Sequence, residues 1–520
     1  MGQSVLTLNN LLQNTLDTNQ KKIALHFGDK SMTYEELRVS ANQVAHALQS
    51  LGVGRNTRVA LFMSNTEEYV VSELAIYLAG GTKIALNSML TELDVSFILK
   101  DSKSEILIVE EKFFSIINHI VDQLPDLKTV VLVGAERDYG SNYVLWDDFI
   151  RNQPKDNVEV HSHPKDQSFI LYTGGTTGNP KGVVHNRETT SLTFLSQMIE
   201  TNMQHDEKIL LTTPLPHAAG LYLYAGLLKG AEIFIEDKFD PQTMLEKIEQ
   251  HKITFLSLVP TTLYRLLDYM EEKIYDVSSI RTIQYGTAPI TLTRLTQAID
   301  IFGHVFLQAY GLTETQSVVS WLRKNDHKKG KDQPSLLKSC GRPSMFSRIK
   351  IVDENRDEVQ PGIEGEIVVH CLTNMIEYLG LPEKTSDTLT DGWVFTGDLG
   401  VIDENGYLYV LDRKKDMIIS GGMNVYSTEV ENVIQKHPSV RQVAVIGIPD
   451  DDWGEAVNAF VILKEDTALT ELKEYCKRFL SKYKVPKAIH IVESFPLTTY
   501  GKIDKKTLRS PFWKQKERQI

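Results

Sequence analysis

Phe169-Ile-Leu-Tyr-Thr-Gly-Gly-Thr-Thr-Gly-Asn-Pro-Lys-Gly182 is the stretch on which the reading of this chain turns. Phe169-Ile-Leu171 is a short apolar run and reads as a buried strand. A glycine-rich loop follows. Gly174, Gly175 and Gly178 lack a Cβ, so the backbone there can aim N–H groups at an anion. Thr173, Thr176 and Thr177 add hydroxyl donors, and Lys181 adds a positive charge. This composition suits a polyphosphate. It is not a Walker A loop: Lys181 sits between Pro180 and Gly182, where that motif needs Gly before the lysine and Ser or Thr after it. Taken alone, the segment favours that reading over a flexible surface loop but does not exclude the loop, so the neighbouring sequence decides.

Before the loop, short apolar runs alternate with helical patterns. Val59 to Met63 reads as a buried strand between helical stretches at 34–51 and 67–79. Ile106 to Val109 and Thr129 to Val133 are further strands. Such alternation predicts layered α/β structure with largely parallel sheets. From about Arg348 the pattern changes to strands such as Ile349–Val352 and Gly365–Val369, joined by Gly, Pro and Asp turns, which predicts a smaller β-rich unit. The charge run Asp412-Arg-Lys-Lys-Asp416 separates two apolar strands, and a compact α+β pattern lies beyond it. Helices are expected at 427–436 and 469–480, and strands at 442–446 and 456–463. The expected fold is therefore a large N-terminal domain of layered α/β sheets with a β-rich part at about 348–411, a domain boundary at 412–415 (the hinge, by the resemblance given below), and a small α+β domain at 416–520.

The 520 residues are too many for one compact core. A net charge of -12 argues against nucleic-acid binding by the chain as a whole, although its tail is locally basic. Cys340, Cys371 and Cys476 have no metal or redox spacing, and a reducing, cytoplasmic setting is expected. No apolar run is long enough to span a bilayer, and the first residues lack signal-peptide features. Peripheral membrane contact stays open.

The loop closely resembles the phosphate loop of adenylate-forming enzymes, the superfamily of acyl-CoA synthetases, peptide-synthetase adenylation domains and firefly-type luciferases. The usual loop reads T-S-G-T-T-G-x-P-K-G; here Gly174 replaces the Ser, as in fatty-acyl members. Further motifs resemble the family in order: Tyr285-Gly-Thr-Ala-Pro289, Gln308-Ala-Tyr-Gly-Leu-Thr-Glu-Thr315, Gly392-Trp-Val-Phe-Thr-Gly-Asp398, Asp412–Asp416 with Ser420-Gly-Gly422, Gly447-Ile-Pro-Asp450 with Gly454-Glu455, and Pro496-Leu-Thr-Thr-Tyr-Gly-Lys-Ile503.

The resemblance implies the following roles. Thr173 to Gly178 and Lys181 hold the phosphates, with Thr177 and Lys181 counted among the catalytic groups. Gly286, Thr287, Ala288 and Pro289 flank the adenine, and Tyr310 stacks on it. Thr313 also lies at the nucleotide, and Glu314 binds Mg²⁺. Asp398 accepts from the ribose hydroxyls through two carboxylate oxygens, with Arg413 beside it. Lys502 enters from a mobile C-terminal domain to bridge the acid and the α-phosphate. Lys415 is the pivot, and Ser420, Gly421 and Gly422 face the pantetheine of CoA. His217, Tyr285, Ala309 and Gly311 line the acyl pocket. Acetate-specific relatives carry Trp at the position of Gly311, so a larger acid is expected here.

The resulting expectation is a carboxylic acid–CoA ligase using ATP, Mg²⁺ and CoA. Its acid would be a medium- or long-chain fatty acid, with an aryl acid as the alternative. Two further alternatives are a stand-alone enzyme loading a carrier protein and a non-catalytic acyl- or nucleotide-binding protein. Intact Lys181, Glu314, Asp398 and Lys502 argue against the last.

Overall fold

Two large sheets grow from the predicted alternation. In the computed structural model, which describes residues 7–137, 139–140, 143–160, 162–173, 180–271, 273–288, 290–497 and 503–513, the glycine-rich loop leaves strand β1 (Gln167–Thr173) and returns on strand β2 (Lys181–Asn186). These two belong to an eight-stranded sheet. Its order is Glu377–Tyr378, β2, β1, Thr82–Leu86, Arg58–Phe62, Ile106–Glu110, Thr129–Val133 and Tyr143–Leu145. From β1 onward the pairing is parallel. The second sheet has nine strands. Its middle is parallel and includes β3 (Phe255–Leu258), β4 (Thr282–Gly286) and β5 (Phe306–Gly311), while β6 (Val318–Leu322) pairs antiparallel with β5.

Helices α1 (Arg187–Glu200) and α2 (Gly220–Lys229), together with Tyr34–Ser50 and Glu67–Ala79, fill the space between the sheets. One core joins Leu61, Ile108 and Val131 of the first sheet to Ile209, Ile233 and Phe255 of the second through Val44, Leu74, Phe194 and Tyr222. The opposite faces are covered separately. Phe62 and Leu86 pack on Ile98 and Ile117, while Leu256 and Ile283 pack on Leu245, Leu266 and Leu295. The result is an αβαβα stack, as near-continuous apolar strands demand cover on both faces. Local signals agree. Thr33 caps Tyr34–Ser50 in a reciprocal box with Glu36, and Gly80 ends Glu67–Ala79 at φ 87°.

The β-rich part is an antiparallel sheet that includes Ser347–Val352, Gly365–Cys371, β7 (Trp393–Ile402) and β8 (Leu408–Arg413). After a short turn a separate five-stranded sheet begins at Ile418. Helix α3 (Ser427–Ile434) and helix Leu469–Phe479 pack on it around Val430, Val445, Val461 and Leu472. Helix α4 (Lys505–Trp513) follows near the end of the chain.

The charge run differs from expectation. β8 continues through Asp412 and Arg413, and the turn is confined to residues 414–416. Arg413 stands in register opposite Asp398, and the Asp412 carboxylate is buried, so these two charges have partners that hold them in a strand. Among the described residues no helix is long and apolar enough to cross a membrane.

Candidate active site

The strand ends that carry the predicted motifs meet where the two sheets approach each other. Thr173 ends β1 and stands in register with Lys181, the first residue of β2. Residues 174–179, which include Gly174, Gly175, Thr176, Thr177 and Gly178, lie outside the described residues, as do Pro289 and Lys502. Lys181 Nζ sits 4.1 Å from the centre of the Tyr378 ring. The Tyr378 hydroxyl donates to Glu314 Oε1 at 2.6 Å. Lysine, aromatic ring and carboxylate therefore form one unit, and burial with the nearby Glu314 charge keeps the Tyr378 hydroxyl protonated. Tyr378 was not singled out in the sequence, because a two-residue edge strand carries no motif. It is placed by antiparallel pairing with Val183 of β2.

Glu314 lies in the one-turn helix Thr313–Thr315 directly after β5. His185 fixes that turn by donating from Nε2 to the Thr313 carbonyl at 2.9 Å. Burial pushes His185 down to about 4, so it stays neutral. On β5 itself, the Tyr310 hydroxyl donates to Asp398 Oδ2 at 2.7 Å. Arg413 Nε lies 3.6 Å from Asp398 Oδ1. Burial raises the Asp398 carboxyl above its usual range, against the opposing pull of Arg413 and Tyr310. A carboxylate has about four acceptor positions, so a buried Asp398 with these two neighbours retains capacity for hydroxyl donors. Its carboxyl also feels the charges of Lys415 and Glu314.

The turn after β4 is shaped by close approach. A Cβ on Gly286 would meet the Ala309 carbonyl oxygen at 2.2 Å, so only glycine fits. Thr287 then adopts φ 64°, a strained value for a β-branched residue, and the half-buried Ala288 follows it.

Two members of the expected acyl pocket need correction. Tyr285 is fully buried on the other face of β4, packed among Phe306 and His327, and its hydroxyl donates to His327 Nε2 at 2.9 Å. It can line no open pocket, because the alternation of the strand turns it away from Gly286. Gly311 is exposed, but a Cβ there would meet the Ser317 carbonyl oxygen at 2.4 Å. The glycine is required by the irregular pairing of β5 with β6 between Tyr310 and Gly311, so its presence is no measure of pocket size. Ala309 is buried beside it. His217 stands apart, with Nε2 3.0 Å from Asn87 Nδ2 and a non-helical backbone (φ -111°, ψ -146°) that interrupts its helical turn. The amide donates, so the ring proton sits on Nδ1.

On the C-terminal side, Lys415 is half-buried, and burial with Arg413 nearby pushes it down to about 8. Ser420 is buried. Gly421 and Gly422 form an exposed turn at φ 59° and 76°. Trp453, another residue not singled out in the sequence, lies on this turn: a Cβ on Gly421 would meet its ring at 2.6 Å.

The family described as AMP-binding enzyme matches residues 12–379, and the AMP-binding enzyme C-terminal domain matches residues 429–502. The medium/long-chain-fatty-acid–CoA ligase FadD8 of Mycobacterium tuberculosis is 35% identical over 97% of this chain and 90% of its own length. The fatty acid–[acyl-carrier-protein] ligase ScoC of Streptomyces coeruleorubidus is 32% identical over 94% of this chain and 93% of its own. The solved o-succinylbenzoate–CoA synthetase MenE of Bacillus subtilis, in complex with ATP and magnesium ion, superposes with a TM-score of 0.84 at 28% identity, covering 97% of this chain and 99% of its own.

Proposed function

This chain belongs to the AMP-binding enzyme family, within the adenylate-forming superfamily, and on that premise we propose how its own residues join a carboxylic acid to CoA at the expense of ATP. Such an enzyme is an AMP-forming ligase whose substrates are the acid, ATP and CoA, with Mg²⁺ as cofactor. An oxygen of the acid attacks the α-phosphorus, pyrophosphate leaves, and an acyl-AMP remains. The CoA sulfur then attacks the acyl carbonyl carbon, and AMP leaves. The observation that carries this reading is the pairing of two units at the ends of β1, β2 and β5: Tyr310–Asp398–Arg413, and Lys181–Tyr378–Glu314.

Each unit has a task. Asp398 accepts the ribose hydroxyls, and Tyr310 and Arg413 hold its carboxylate in place. Thr287 and Ala288 border the base. Lys181 and Thr173, at the two feet of the glycine-rich loop, face the phosphates. Charge spreads over phosphate oxygens as the reaction proceeds, so fixed cations and donors are the main source of rate. Among the described residues no cluster of three or more His, Cys, Asp or Glu could cage a metal. A single hard oxygen ligand such as Glu314 instead fits Mg²⁺, which is usually held by one or two carboxylates plus substrate phosphates. Bound there, the ion would neutralise phosphate charge. Lys502 would supply the remaining cation, and Lys415 would be the pivot that brings it in and out.

For the acid, a medium- or long-chain fatty acid is the first choice, supported by the 35% identity to FadD8. An aryl acid is the second, as in MenE. For the acceptor, CoA is preferred to a carrier protein, although ScoC uses the latter. The test is product identification. Enzyme, ATP, Mg²⁺ and octanoate should yield octanoyl-CoA and AMP when CoA is added. ADP as product, or transfer only to a phosphopantetheinylated carrier protein, would refute the assignment.

A further inference from the structure

The layer between α1 and the second sheet changes character towards the candidate site. Strand register fixes which side chains share it. Ser257 pairs with Gln284, Gln284 with Leu307, Gly286 with Ala309, and Ala309 with Trp321. Partners in register point to the same side of a sheet. That side is the one α1 and α2 cover. Phe255, two residues before Ser257, packs on Tyr222 of α2 with ring centres 5.3 Å apart. Gln197 of α1 donates from Nε2 to Ser317 Oγ at 3.1 Å.

Deep in this layer the side chains are apolar: Phe194, Ile209 and Phe255. Near the site they are Gln197, Ser257, Gln284, Ser317 and Trp321, with Ser196 beside Gln197 on α1, all buried and none charged. Ser257 donates to Gln284 Oε1 at 2.7 Å. Three other groups have no partner among the described residues: Ser196 Oγ, Gln197 Oε1 and Trp321 Nε1. Buried polar groups are nearly always hydrogen-bonded, so orphans at two successive positions of α1 and on the neighbouring β6 mark a place built for a polar partner. The layer adjoins the acyl side of the site, since Trp321 stands opposite Ala309 and the Ser317 carbonyl lies against Gly311.

We propose that the acid accepted by this chain carries a hydroxyl on its acyl part, held by Ser196, Gln197 and Trp321; this rests on the acid–CoA ligase reading. The three groups define the ligand's chemistry. Trp321 Nε1 can only donate, Gln197 Oε1 can only accept, and the serine hydroxyl does either. A hydroxyl both accepts and donates, so one such group answers the tryptophan and the glutamine together. A plain alkyl chain answers neither.

The test is a set of matched acids with wild-type enzyme, read as pyrophosphate release: octanoate against its hydroxyoctanoates, cinnamate against hydroxycinnamates, and benzoate against hydroxybenzoates. At least one hydroxylated acid should exceed its parent in kcat/KM by about fivefold, the worth of one uncharged hydrogen bond. In Trp321→Phe, which removes a donor the fold does not use, that ratio should fall towards one, and Gln197→Leu should act alike. Parents equal to or better than every hydroxylated partner would overturn the proposal, and would leave the orphan groups to buried water. A preference that survives both variants would also overturn it. Pyrophosphate release with none of the acids, parent or hydroxylated, would instead strike the ligase reading and the inference with it.

Discussion

Asp398 shows what the site asks of a single residue. Burial opposes its charge, so the folded protein carries an unfavourable carboxylate, a burden that the proposed function explains by the acceptors it would offer the ribose. Asp398→Asn relieves that burden and spoils the acceptors. It should raise the KM for ATP at least about tenfold while leaving Tm unchanged or higher. A fall in Tm of several degrees with normal ATP affinity would contradict this. Lys502→Ala should slow adenylation by roughly 10²–10³, the scale of one lost charge-stabilising donor, and should spare thioester formation from supplied acyl-AMP; equal loss of both steps would remove its assigned role. His185 and His327 make a separate prediction about pH. Burial pushes both from 6.5 down to about 4. Above 6.5 the imidazoles are neutral whether the chain is folded or not, and they contribute nothing. Below it the unfolded chain takes up protons that the folded chain refuses, so stability falls as pH drops from 6.5 towards 4. His327→Gln should flatten part of that slope in Tm against pH, and an unchanged slope would be the wrong result. At this scale the motif residues were legible as types, because Lys181, Glu314 and Asp398 stand in recognisable strings. Their fixing partners were not. His185 and Tyr378 act through contacts 128 and 64 residues away, which no local pattern records.

Among the elements, the join between β8 and the last sheet is the most informative. Asp412 accepts from Ser427 N at 2.5 Å and from Ser427 Oγ at 2.8 Å, which caps α3 from outside the helix. Thr428 donates to the Leu411 carbonyl. Lys505 of α4 reaches both Ser427 Oγ, at 2.7 Å, and Glu431, at 2.6 Å, while Arg509 pairs with Asp416 at 3.1 Å. Asp412 precedes Lys415 and Ser427 follows it, so turning about Lys415 has to break the Asp412 bonds. Proline at 415 fixes φ near -65°. Lys415→Pro should still form acyl-AMP but make thioester at least about tenfold more slowly. Normal thioester formation in that variant would leave the pivot without support. Gly311→Ala probes another element boundary. Its Cβ would press on the Ser317 carbonyl, so the variant should lose about 1–3 kcal/mol of stability whatever acid is offered. A change in acid preference at full stability would restore the pocket reading of that glycine. The sequence showed strands on both sides of the charge run because their apolar residues are contiguous. It could not show that β8 continues to Arg413, because that extension depends on Asp398, fifteen residues earlier, and on a helix that begins at Ser427.

For the whole molecule, the layered α/β architecture was legible from the alternation of apolar strands and helices. The division into two sheets was not. Thr82–Leu86 pairs with β1 across more than eighty residues, and Ile23–Phe27 joins the other sheet beside Glu232–Ile235. Pairings over such separations depend on which faces are covered, and the helices between the sheets decide that. The consequence is that the candidate site gathers at strand ends of both sheets, the usual place for a ligand-binding cleft in parallel α/β structure. The central claim is that this site forms an acyl-AMP before CoA takes part. Exchange of labelled pyrophosphate into ATP, with octanoate and Mg²⁺ but without CoA, measures that step alone. Exchange should be absent without acid, appear when acid is added, and fall sharply in Asp398→Asn at fixed, subsaturating ATP; no acid-dependent exchange, or exchange that first requires CoA, would contradict the account.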